Sequence, residues 1–133
     1  MTYFVAYVAA LIVFGALDAI WLTTMASRLY RPALGEILLD DLRIAPAIAF
    51  YFLYPIGLVV FAAMPAVRSG SAGMALTFGA LFGLLAYATY DLTNYATLRN
   101  WTLQITIVDL IYGTVVAGLT SFAGYYAARW LAG

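Results

Sequence analysis

Three carboxylates interrupt otherwise apolar stretches of this chain: Asp18 in FGALDAIWL, Asp91 in YATYDLTNY and Asp109 in IVDLIYG. Each has aromatic neighbours at helical spacing. Trp21 follows Asp18 by three residues and Tyr112 follows Asp109 by three; Asp91 lies four residues from both Tyr87 and Tyr95, next to Tyr90, with Asn94 at plus three. Side chains three or four apart share a helix face, so these groups can line a cavity with acid, phenol, amide and indole. Such a cavity suits three kinds of chemistry. Carboxylate oxygens and ring faces hold a cation, two carboxyls share a proton at a shifted affinity, and hydrogen-bonding groups orient a polar lipid headgroup.

Other chemistries are excluded by composition. His and Cys are both absent, which removes disulfides, thiol catalysis, zinc sites of the usual kind, haem ligation by His and Ser-His-Asp catalysis. Six Arg balance six acidic residues and there is no Lys, so no basic field is available for nucleic acid. No cofactor motif is recognisable, and a metal for the acids is left open. Of the 133 residues 66% are hydrophobic and 9% charged, more apolar surface than so short a soluble domain can bury. Membrane lipid is therefore the expected partner.

Four segments are long enough to cross about 30 Å of hydrocarbon as helix: Tyr3 to Thr24, Ile44 to Val67, Met74 to Tyr95 and Leu103 to Arg129. They are continuously apolar rather than alternating, which favours helices over a barrel. The first begins without a basic leader and is longer than a secretory core, so it is expected to be retained. The fold expected is all-α: an up-and-down bundle of four transmembrane helices forming one domain over residues 1–133. The loop MASRLYRPALGEILLDDLR, residues 25–43, is not featureless. From Pro32, a favoured first helical residue, Leu34, Ile37, Leu38 and Leu42 recur at helical spacing, with Glu36, Asp40 and Arg43 opposite. This predicts a short amphipathic helix at the membrane surface, ending near Asp41. Pro55 removes a backbone donor inside the second span and predicts a bend. Arginines gather in the first and third connections, which places both termini outside the cytoplasm by the positive-inside rule.

Because the chain reverses at each turn, the three acids fall at one level, within roughly 5 to 10 Å of the surface carrying the first and third connections at about 1.5 Å per residue. Asp91 ends the row Ala75, Gly79, Gly83, Tyr87, and Asp109 starts the row Gly113, Ala117, Ser121. Small residues four apart let membrane helices approach closely. If these rows face each other, Asp91 and Asp109 meet. A plainer role stands beside these: each acid as a hydrogen-bonded clasp between helices, or neutralised by Arg28, Arg31 or Arg99 reaching inward. Trp21, Trp101 and Trp130 also fit interfacial anchoring.

Several stretches together resemble the domain of unknown function 2177 family of small bacterial membrane proteins: FGALDAIWL, YRPALG, FYFLYPIGLVVF, GALFGLLAYATYDLTNYATLRNW and VDLIYGT. The resemblance covers nearly the whole chain, with YDLTN and VDLIYG as its most specific parts. It implies four helices in a bacterial inner membrane, nominates Asp18, Trp21, Tyr90, Asp91, Asn94, Trp101, Asp109 and Gly113 as pattern positions, and tilts the expected ligand toward lipid. The leading functional reading is a membrane protein binding a small ligand or lipid headgroup at Asp18, Asp91, Asn94 and Asp109, with Trp21, Tyr87, Tyr90 and Tyr112 as walls. Two alternatives stay open. One is a lipid-modifying enzyme with two carboxylates as general acid and base. The other is a homo-oligomer or an accessory subunit of a larger membrane complex, docked through its glycine faces.

Overall fold

A computed structural model describes residues 1–35, 37, 38 and 43–131. Every regular element among these residues is helical. Helix α1 is Thr2–Met25, followed by a π-helical turn Ala26–Tyr30 and the short α2, Arg31–Leu34. Then come α3, Ile44–Leu58, a second π turn, Val59–Ala63, and α4, Met64–Ser69. The last two are α5, Ala72–Thr97, and α6, Leu103–Leu131. Consecutive pieces run on without a break, so four helical runs among the described residues are long and apolar enough to span a bilayer.

The first run departs from expectation. It does not stop near Thr24 but continues for 33 residues to Leu34, and Pro32 starts no separate surface helix. The cause is local. A proline lacks the N–H that would meet the carbonyl four residues back, and its ring crowds that carbonyl. A turn closed five residues back is wide enough to relieve both. Here the Arg31 N–H bonds the Ala26 carbonyl just before Pro32. The same device recurs before Pro65, where the Met64 N–H bonds the Val59 carbonyl. Burial secures the extension, because Leu29 and Leu34 pack with Trp101 and Ile105. Ile37 and Leu38 form a hydrogen-bonded turn on the Leu34 carbonyl. The rest of the expected surface helix, at Glu36, Leu39, Asp40, Asp41 and Leu42, lies outside the described residues.

Pro55 sits inside α3, and the Val59 N–H one turn later is shared between the carbonyls of Pro55 and Ile56. Gly70 takes the left-handed conformation at φ 68° that ends α4, a backbone region open to glycine at no steric cost. Ser71 then caps α5, its Oγ accepting the Met74 N–H at 3.1 Å. At the other turn Thr102 Oγ1 accepts the Ile105 N–H at 3.1 Å and starts α6.

Helix α6 is central, with α1 and α5 each packed along it. The run α3–α4 crosses this layer obliquely. Its α3 half lies against α1, and its continuation from Val59 onward reaches α5 and α6. Small side chains make the close contacts at the Val59–Ser69 end. A Cβ on Gly124 would meet the Ala6 carbonyl oxygen at 3.3 Å and Ala63 Cβ at 3.4 Å, so three runs converge there. At the opposite end α3 is unsupported, and residues Ile44 to Phe50 are exposed on every face.

Candidate functional site

The buried stripe of α1 reads Ala6, Ala10, Phe14, Asp18, four residues apart throughout. That of α5 contains Ala75, Gly79, Gly83 and Asp91. On α6, Asp109, Gly113, Ala117 and Ser121 are all buried. Each acid thus closes a row that is otherwise small or apolar, and helix packing carries it inward. The α5 and α6 rows lie against each other. A Cβ on Gly79 would meet Ser121 Oγ at 2.5 Å and the Ala117 carbonyl oxygen at 2.8 Å; one on Gly83 would overlap Ala117 Cβ and the Gly113 carbonyl oxygen. A Cβ on Gly113 would run into the Tyr87 ring. Only glycine permits this approach.

The three acids have unlike surroundings. Asp18, 8% exposed, accepts from two phenols: Tyr112 donates to Oδ1 at 2.7 Å and Tyr51 donates to Oδ2. Asp109, 6% exposed, accepts the Tyr30 hydroxyl on Oδ1 at 2.6 Å. Trp21 ties these groups together. Its Nε1 donates to the Tyr30 oxygen at 3.2 Å, and its indole stacks on Tyr112 with centroids 4.1 Å apart and planes 12° from parallel. Asp91 is wholly buried, and neither of its oxygens finds a donor. Extending the α5–α6 contact register, Gly83 on Gly113 and Tyr87 on Gly113, by one turn brings Asp91 toward Asp109, and a proton held between two carboxyls would satisfy it. Among the described residues no arginine partners these acids: Arg28, Arg31 and Arg99 are exposed.

A cavity of about 530 Å³ opens at this level, within the size range of small-molecule sites. Asp18 and Trp21 of α1, Tyr87 and Tyr90 of α5, and Asp109 and Tyr112 of α6 line it. Phe50 and Tyr54 of α3 form a further wall, and Tyr30, Leu34 and Leu38 lie over it. The Tyr54 hydroxyl is buried without a partner. Exposed apolar side chains, Leu22 at 45% and Phe50 at 44%, belong to the same lining. The cavity therefore joins an aromatic, acid-bearing interior to the exposed apolar surface at Leu22 of α1 and Phe50 of α3.

Of the eight residues nominated from sequence as ligand-binding, six line this space: Asp18, Trp21, Tyr87, Tyr90, Asp109 and Tyr112. Asp91 and Asn94 do not. Asp91 is buried on the face of α5 that packs on α6, and Asn94 is half-buried; neither lines the cavity. Among the described residues no three acids are close enough to form one metal-binding group, so Asp18 stands apart from the Asp91–Asp109 pair. Sequence reasoning missed Tyr30, Tyr51 and Tyr54 as site residues, and had Trp101 only as a family-pattern position and an interfacial anchor. Tyr51 carried a usable signal, since it stands about two turns from the start of α3, roughly 10 Å in and so at the depth of the acids; Tyr54 lies nearly one turn deeper. Tyr30 carried none while residues 25 to 43 read as a loop.

A family model described as "Predicted membrane protein (DUF2177)" matches residues 3–126. No curated protein and no solved structure matches the chain.

Proposed function

We propose, for a chain that belongs to the DUF2177 family of predicted membrane proteins, that the cavity between α1, α3, α5 and α6 binds an amphiphile from the bilayer, here a bacterial cytoplasmic membrane. The polar end of the ligand lies toward Asp18 and Asp109, and its apolar part lies against exposed Leu22 of α1 and Phe50 of α3. One observation carries this reading: a single space is bounded by two buried carboxylates at one side and by exposed Leu22 and Phe50 at the other. Buried acids are costly in a membrane, and such residues mark ligand or ion pathways more often than neutral positions do.

The test fills the space. Ala86 lines the cavity and is half-buried, so Ala86→Trp occupies it without touching an acid. Purified in a mild nonionic detergent and examined by native mass spectrometry, the wild type retains a bound amphiphile and Ala86→Trp does not. Equal occupancy in the two proteins, or none in either after reconstitution with membrane lipid, overturns the reading.

The Asp91–Asp109 pair supports a second reading, in which the bound lipid is also modified. Two carboxyls within reach of one proton resemble the arrangement in which neighbouring acids divide the roles of acid and base. Lipid analysis of a deletion strain separates the two readings. A missing or accumulated acyl or headgroup species favours an enzyme, and an unchanged profile leaves binding alone.

A further inference from the structure

The charge of the ligand's polar end follows from where the hydroxyl hydrogens point. Tyr30 and Tyr112 both line the cavity, and each donates its hydrogen to a carboxylate, at 2.6 and 2.7 Å. The Trp21 N–H is committed to Tyr30 and the Trp101 N–H to Thr106. What these groups turn toward the cavity is lone pairs and ring faces, alongside Asp18 and Asp109. A phosphate or carboxylate headgroup would call for cationic donors, and among the described residues no arginine lines the space; the donors left over are neutral hydroxyls such as that of Tyr54. A cation needs what is present: carboxylate oxygens and the negative faces of aromatic rings.

A buried carboxylate without a countercharge is unstable in low dielectric, and a proton or a cation can supply one. A metal ion is poorly served, because among the described residues no three acids gather into one group. Rings are plentiful instead. Tyr87 stands edge-on to Tyr112 with centroids 6.2 Å apart and edge-on to Tyr54 at 6.2 Å, while Tyr112 is stacked on Trp21. Ring walls at differing angles beside an acid suit a bulky, weakly hydrated cation. We propose that the ligand's polar end is an organic cation, an amine or quaternary ammonium, seated against Asp109 and the rings of Trp21, Tyr87 and Tyr112. This inference rests on the amphiphile reading and specifies its headgroup. The buried, unpartnered Tyr54 hydroxyl, in a residue only 9% exposed, is a further polar group left to the occupant.

The experiment compares two probes of like size, one cationic and one neutral: dodecyltrimethylammonium and dodecyldimethylphosphine oxide. Each is titrated into the protein in vesicles of digalactosyldiacylglycerol, a neutral lipid without an amine. Trp21 and Trp101 line the cavity and report occupancy by fluorescence; Trp130, 86% exposed, is removed as Trp130→Phe in all samples. The expected result is binding of the ammonium at least about tenfold tighter than the phosphine oxide, with the preference lost in Asp109→Asn and the phosphine oxide affinity unchanged. Tyr87→Leu, which removes a ring face and no carboxylate, should weaken the ammonium more than the phosphine oxide; it keeps the test decisive if Asp109→Asn fails to fold. Equal affinities in the wild type overturn the cation and leave the amphiphile reading standing. Failure of both probes to bind overturns both. A cation preference that survives both substitutions places the attraction elsewhere and also overturns the inference.

Discussion

The two ends of the α5–α6 contact are built on opposite principles. Toward the α4–α5 turn, Gly79, Gly83, Ala117 and Ser121 let the backbones meet with almost nothing between them. Toward the other end, Tyr87, Tyr90, Tyr112 and the acids fill the same helices with large and polar side chains. The rest of the bundle repeats the division. Ala6, Ala10, Ala63, Gly124 and Ala128 close one end with small side chains, whereas aromatic rings and a cavity occupy the other. In lipid, where packing rather than water exclusion brings helices together, a tight end can hold the bundle while the loose end stays open to a guest. Stability and binding are thereby assigned to different residues, and substitutions at glycines should tell them apart.

Gly83→Leu should have the largest effect. Its Cβ alone overlaps the Gly113 carbonyl oxygen and Ala117 Cβ, so backbones must separate, at a cost of about 3 kcal/mol or more. Reversible unfolding in mixed dodecyl sulfate micelles, followed by circular dichroism, measures this. Gly113→Ala comes next and differs in kind. The obstacle there is the inner edge of the Tyr87 ring rather than backbone, so the whole ring must turn about its Cα–Cβ bond; the stability loss should be about 2 to 3 kcal/mol while binding of the dodecyl probes is abolished. Retained binding would mean that the two ends are not separable. Gly15→Ala should have the smallest effect and the opposite sign. A Cβ at Gly15 meets nothing within 4 Å, and replacing a helical glycine with alanine should stabilise by about 0.5 to 1 kcal/mol.

The tight end is largely legible in the sequence, because small residues four apart carry their meaning locally. The rows containing Gly79, Gly83, Gly113 and Ala117 stand out from spacing alone. The four spans are legible for the same reason, through length and hydropathy. The loose end is legible only in part. Helical spacing finds Asp18, Asp109 and their nearest rings, but two of the phenols that bind them, Tyr30 and Tyr51, come from other runs, and long-range pairing leaves no trace in spacing. Asp91, ringed by tyrosines in the sequence, reads there as the centre of the site. Its row, however, packs on α6, which takes Asp91 into the helix contact and out of the cavity lining. Residues 25 to 34 mislead for a further reason: Arg28, Arg31 and Pro32 are the composition of a loop, and nothing in composition announces a π turn.

The π turns also have a consequence for alignment. Leu29 and Leu34 share one buried cluster although they are five residues apart, and so do Val59 and Met64. In a regular helix five residues amount to about 500°, which would turn the second of each pair some 140° away from the first. Each π turn takes up one surplus residue and brings the later side chain back onto the earlier face. Each is thus equivalent to a one-residue insertion whose phase shift has been absorbed locally. Deleting a single residue from Ala26–Tyr30 would restore an ordinary α-helical count and leave Leu34 four residues after the position of Leu29, about 400° on and so still on the same face. The stretch that brings Tyr30 and Leu34 to the cavity therefore tolerates a change of one residue in length at the π turn without losing its buried face.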